Sequence, residues 1–462
     1  VADGKKIIIG IVIGGVLVCG LGGLGAYNGF GQPERQYRSE IEKGVAAGLP
    51  EKPDAYQKTV DPDKNAASVY TEAITVWTKF QQDNRETANR VSARLQPADY
   101  FQKDAKTDFI AVQPLIKLLD QAASYPSLCF DKPYSHGFQN DFPEYGPLRT
   151  FVRIRCMQAV YLARQSRFDS AFAELGRAAA IPRHLGTDNP SILGLLVSIS
   201  LRNNVTRTLE RILCLQGRNP RASDQATQIF AALGPLPSLQ TSLRGEYAGL
   251  LGSLDLLQKP DRLAQLSQAS RSDSEMNQNA NRTLARLMAW PAGRYLLMSN
   301  AVRASRTAYT DVVNIPTNDI DLINANLGSE KSDAKRSSPD NTLVQMLVPA
   351  SGQVSRSLVR EVAEERLVRV LAASLSQAKG VRIPSELAID PFTKKPLLVK
   401  ETPTSFRIWS VGVDLKDDGG KVSFSNSLLP NGGADIVVGY PFVEKTSSQR
   451  RSIGPGIAAA AA

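Results

Sequence analysis

Two histidines, His136 and His184, supply all the imidazole in a chain of 462 residues, so acid–base or metal chemistry is sought around them first. His136 sits in the loop YSHGFQNDFPEYG, close to Asp141 and Glu144. Such a loop could hold a metal ion or seat a general base, and a periplasmic hydrolase is therefore one function class the sequence allows. His184 follows Arg183 near the expected end of a helix, where capping is the ordinary role. Cys19 falls in an apolar stretch, while Cys129, Cys156 and Cys214 are too dispersed for a metal-binding pair or a disulfide framework. Free thiols are the first reading and a single bridge the alternative. The chain contains no glycine-rich phosphate loop, nucleophile elbow or HExxH motif. The expectation is a protein that is not an enzyme.

The elements that must position these residues are mostly helical. Hydrophobic content of 42% with 22% charged residues excludes wholesale disorder. Val69, Ala73, Ile74, Val76, Trp77 and Phe80 form one helical stripe, and Phe109, Val112, Leu115, Ile116 and Leu119 a second. Tyr145 to Leu215 reads as three more helices, with breaks at Arg167 and at Gly186 to Pro190. Within it, AVYLARQSRFDSAFAELGRAAAIPRHL follows the helix–turn–helix logic of tetratricopeptide-like repeats, but no 34-residue period is sustained. After Gly380 the pattern changes to short β-prone runs, Ser405 to Val411 and Asp435 to Tyr440, punctuated by glycine and proline.

Ile7 to Tyr27 is an uncharged stretch long enough to cross a bilayer as a helix. Lys5 and Lys6 before it argue for a cytoplasmic N-terminus and a bulk outside the inner membrane of a bacterium, in the periplasm. Gly10, Gly14, Gly15 and Gly22 give the stretch a small face on which another membrane helix could pack. The expected fold class is thus mainly α. A cytoplasmic stub, 1–6, leads into a transmembrane helix, 7–27, and a stalk, 28–64. An irregular α-solenoid or helical-bundle body follows over 65–326, then a polar linker, 327–342, and a helix, 343–380. A small β-rich module, 381–445, and a tail, 446–462, complete the chain.

The net charge of +10 is uneven. Arg149 to Arg221 holds twelve arginines against Asp169, Glu174, Asp188 and Glu210. A surface of that kind suits anionic lipid headgroups or an acidic partner. Nucleic acid is disfavoured because interleaved aromatic stacking residues are missing.

The most specific pattern is Asp390 to Gly420, DPFTKKPLLVKETPTSFRIWSVGVDLKDDGG. Its DPF turn, SVGxD and DDGG resemble the C-terminal β-region of the major pseudopilins of type II secretion. More closely, the pattern is similar to single-pass bacterial envelope proteins with a helical body and such a module. The resemblance implies a calcium site in the DDGG loop, formed here by Asp414, Asp417 and Asp418 with Asp435 closing it from the next strand. An acidic turn that caps a hairpin without metal is the alternative. A prepilin's glutamate within the hydrophobic helix has no counterpart in Ile7 to Tyr27, so filament assembly is not implied. These observations lead to the expectation of a membrane-anchored extracytoplasmic scaffold or accessory subunit of a membrane protein complex. It would bind through its transmembrane helix and helical domain and require no cofactor. A calcium-binding envelope protein related to secretion or pilus machinery is the alternative.

Overall fold

A computed structural model describes residues 31–93, 100–188, 190–258, 290–314, 351–420 and 435–441. The stretch 7–27 with Gly10, Gly14, Gly15 and Gly22, the linker 327–342 and the tail 446–462 lie outside the described residues. Within them the protein is mainly helical with one three-stranded sheet, and no described helix is long and apolar enough to cross a membrane.

The described residues fall into two compact units. One is drawn from Val1–Ile154, Arg177–Asn203 and Ala232–Glu361, the other from Arg155–Gly176, Asn204–Ala231 and Val362–Ala462. This division differs from the linear order expected from the sequence, because each unit is assembled from separated segments. Helix α1, Gln32–Ala46, belongs to the first unit and does not form a free stalk. It buries Tyr37 and Glu40, and Pro33 is tolerated in its first turn.

Helices α2, Ala67–Asp83, and α3, Arg85–Ser92, follow, then the short α4, Tyr100–Lys103. The second sequence stripe divides into α5, Ala105–Ala111, and α6, Gln113–Ser124, at Val112, since Pro114 begins a new helix more readily than it continues one. Asn65 clips the start of α2 to the segment after α6: its amide donates to the Cys129 carbonyl and accepts from the Cys129 N–H, each at 2.9 Å. Arg90 on α3 grips the buried Asp108 on α5 through two bonds of 2.8 Å.

The region expected to hold three helices holds four: α7, Tyr145–Arg164; α8, Phe168–Ala178; α9, Ala180–Asp188; and α10, Ile192–Gln216. The extra break falls at Ala179, three residues before Pro182. Next come α11, Ala222–Leu233; α12, Leu239–Leu257; α13, Pro291–Val313; and α14, Ser351–Leu375.

In the first unit, α12 lies against the turn Tyr134–Gln139 with almost no gap. A Cβ on Gly245 would stand 1.8 Å from the Pro190 carbonyl oxygen, and one on Gly252 would stand 1.9 Å from that of Tyr134. Only hydrogen fits at either place, and Tyr134 seals the contact by donating its hydroxyl to the Pro190 carbonyl at 2.6 Å. In the second unit, strands β1, Leu398–Glu401; β2, Phe406–Ser410; and β3, Ile436–Tyr440, form an antiparallel meander with β2 central. Ile408, Trp409 and Ser410 are all buried, so the alternation expected of a half-exposed strand fails where both faces are covered.

Gly245→Ala is expected to lower stability by about 3 kcal/mol, the cost of forcing apart a closed backbone contact. Gly146→Ala, whose Cβ would meet nothing within 4 Å, is expected to be neutral or to stabilise by about 0.5 kcal/mol. Urea unfolding of the two variants against the parent separates these outcomes.

Candidate functional site

Neither histidine occupies an assembled catalytic site among the described residues. His136 is exposed on its turn, and Glu144 of the same loop is held by Lys132 at 3.0 Å. His184 does not act as a helix cap. It is fully buried in α9 and joins two other parts of the first unit. Its Nε2 donates to the Tyr125 carbonyl at 3.0 Å, a partner that can only accept. Nδ1 is then left to accept the Tyr70 hydroxyl at 3.2 Å. Cys129, Cys156 and Cys214 are free thiols. Burial pushes the Cys156 thiol up to about 12, far from the range of a nucleophile.

The arginine-rich segment contributes less to the surface than its charge suggests. Arg155 is buried against Glu174. Arg202 is buried with Glu361 at 3.5 Å, and one of its nitrogens donates to the carbonyls of Leu233, Gly234 and Pro235, where α11 ends. Arg218 does the same at the end of α14, bonding the carbonyls of Ser374 and Gln377 at 3.0 and 2.9 Å. Arg207 meets Glu210 at 3.0 Å, Glu364 at 3.4 Å and the Val437 carbonyl of β3 at 3.2 Å. Of the exposed arginines, Arg177 faces Asp120 and Arg221 faces Asp169. Part of this segment's charge is therefore spent on structural pairs and carbonyl contacts.

The residues that carry the sequence resemblance are wired to one another in the second unit. Asp390 is buried, and its Oδ1 accepts from the Phe392 N–H and the Ser410 hydroxyl, each at 2.9 Å. Its Oδ2 accepts from the Val411 N–H at 3.1 Å, and the Ser410 Oγ in turn accepts from the Gly412 N–H. The DPF turn and the SVG segment thus form one latch beneath the sheet edge.

The acidic loop is held by the same kind of bond. Asp414, half-buried, accepts from the Lys416 N–H at 3.1 Å. Asp417 accepts from the Trp409 indole at 3.0 Å and from the Gly419 N–H at 2.8 Å. Asp435 does close the loop from the start of β3, but by accepting from the N–H groups of Asp418 at 3.3 Å and Gly420 at 2.8 Å. Gly420 must be glycine here: its φ is +67° and a Cβ would press on the Trp409 ring at 3.1 Å. Burial raises the Asp435 carboxyl above the ordinary carboxylate range, the two amide bonds oppose this, and the charges of Asp417 and Asp418 add to it. Amide and indole N–H groups thus hold the loop through Asp414 Oδ1, Asp417 Oδ1 and both oxygens of Asp435. Among the described residues no group of three or more His, Cys, Asp or Glu side chains could hold a metal ion.

One carboxyl missed by sequence reasoning stands out. Glu246 on α12 accepts from the Ile192 N–H at the start of α10 at 3.3 Å. Burial pushes it up to about 7, outweighing that favourable bond. No local motif marks it, because its partner lies 54 residues away in the chain. No protein-family model, curated protein or solved structure matches this chain.

Asp390→Ala strands three buried donors and is expected to cost about 3 kcal/mol, whereas Asp414→Ala, which removes a single turn bond from the Lys416 N–H, should cost no more than about 1 kcal/mol. Denaturant unfolding followed by Trp409 fluorescence reads both. Glu246 keeps its proton in the folded chain and loses it in the unfolded one between about pH 4.5 and 7. Its contribution to stability is complete below that window and declines as pH rises through it. Glu246→Gln is expected to flatten the decline, and unfolding measured at several pH values from 4 to 8 checks the sign.

Proposed function

We propose that the protein is a membrane-anchored scaffold or accessory subunit of a larger membrane protein complex, acting through protein–protein contacts on an irregular helical body. The observation that carries this reading is the fastening of α1. The helix begins five positions after the uncharged stretch Ile7 to Tyr27, and its buried Glu40 is gripped by Lys43 at 2.9 Å and Arg306 at 3.0 Å, with Arg303 at 3.7 Å. A body joined so directly to an anchor is suited to holding a fixed position beside a membrane partner. The side chains that could do chemistry support the same reading, since His184, Cys156, Arg155, Arg202 and Asp390 are buried in structural roles. The calcium-binding and hydrolase alternatives draw less support, because the acidic loop binds its own amides and His136 lies exposed beside an engaged Glu144. That helical bodies serve as scaffolds is an argument from architecture. In this reading the N-terminus is cytoplasmic and the bulk periplasmic, at a bacterial inner membrane.

Extraction from the native membrane in mild detergent, followed by native electrophoresis and mass spectrometry, tests the proposal. Co-migration with other membrane proteins at fixed stoichiometry is the expected result. Migration as a lone monomer or homo-oligomer would overturn it.

A further inference from the structure

Three helices of the first unit meet with their directions fixed by named contacts. Tyr37 of α1 stacks near Tyr295 of α13 with ring centroids 6.0 Å apart, and Glu40 bonds Arg306 further along both helices. A Cβ on Gly48, just past α1, would come within 4.0 Å of Asn314, just past α13. The positions rise together, so α1 and α13 run parallel. Helix α12 runs against both: Arg244 near its start donates to the Gly48 carbonyl at 3.0 Å, and the Gln258 carbonyl at its end accepts from Arg294 at 3.2 Å. One end of this layer therefore gathers the start of α1, the end of α12 and the start of α13.

That end carries Trp290, 51% exposed, and Leu296, 45% exposed. The other two tryptophans, Trp77 and Trp409, are 2% and 7% exposed. Arg38 pairs with Glu34 at 2.7 Å near the start of α1. Four residues, 28–31, separate Tyr27 from Gln32. Fully extended, they allow the start of α1 to lie no more than about 18 Å from the end of the apolar stretch.

We infer that this end of the α1–α12–α13 layer is a lipid-contacting surface, with Trp290 and Leu296 seated at the headgroup level of the bilayer that holds residues 7–27. The inference rests on the anchored reading above and adds to it the face that the body turns to the membrane. An indole suits that depth because its ring is apolar while its N–H can reach headgroup oxygens or water. Leu296, on the following turn of α13, adds apolar area at the same end. The short tether then limits the distance between this end and the membrane.

The test uses the full chain in phosphatidylcholine vesicles whose acyl chains are brominated near the headgroup, with tryptophan emission as the readout. Expected is partial quenching that is lost in Trp290→Phe and weakened in Leu296→Glu, with thermal unfolding of both variants unchanged. Flotation of the same samples after a high-salt wash reports the anchor separately. Equal emission loss in parent and Trp290→Phe, or none in either, while the protein floats with the vesicles overturns the lipid-facing surface and leaves the anchor standing. Protein that stays at the bottom of the gradient overturns the anchored reading and this inference with it.

Discussion

A guanidinium taken out of water must find hydrogen-bond acceptors where it lands, and the placement of several helices follows from that requirement. Arg202 gathers three carbonyls at the end of α11, and Arg218 gathers those at the end of α14. These are the carbonyls a helix leaves without an internal partner, so each arginine satisfies itself and the helix end together. Arg155 solves the same problem with the carboxylate of Glu174, and the half-buried Arg207 compensates the buried Glu210 and Glu364. A buried pair adds little net stability over an apolar core, but removing one member leaves a charge with no compensation at a cost of about 3–5 kcal/mol. The arginines therefore restrict which helix packings are accessible. They also show that several arginines of a strongly basic segment serve internal structure.

The helical character was legible because the apolar stripes of α2 and α6 follow a 3.6-residue period, and Val69, Ala73 and Trp77 are buried as that period requires. The extra breaks at Val112 and Ala179 were less visible, since the apolar stripe continues across a change of helix while proline acts on backbone geometry. Strand β1 escaped notice because Val399 to Glu401 are exposed at a sheet edge, where no alternation is imposed. The roles of His184 and Glu246 were not legible at all. Each is decided by partners 54 to 114 residues away, and only the folded chain brings a tyrosine hydroxyl or a helix N-terminus to them.

The motif that carries the resemblance to pseudopilin-like modules turns out to be the wiring of the module itself. Asp390 ties the DPF turn to Ser410 and Val411, and Asp417 with Asp435 folds the DDGG loop around Trp409. Residues of that kind are demanded by a small sheet with little core, in which each turn must be held by side chain to backbone bonds. Such a motif reports how a module folds. It can be shared by proteins whose surfaces do different work, so the proposed function rests instead on the uncharged stretch 7–27 and on α1.

Two carboxyls in the α1–α12–α13 layer give that layer opposite responses to pH. Burial alone would raise Glu40, but hydrogen bonds from Lys43 and Arg306 hold it below the ordinary glutamate value. Its contribution is present above the unfolded value and is lost as pH falls through the folded one. At Glu246 burial outweighs the single N–H bond from Ile192, so its contribution runs the other way and fades toward about pH 7. The difference is one of environment, since both are glutamates on helices of the same unit. Where α1 packs on α13, the sequence places a cation cluster around the acid, and the seat holds at neutral pH. Where α12 meets the start of α10, a single N–H faces the acid, and the proton itself is the partner that matters.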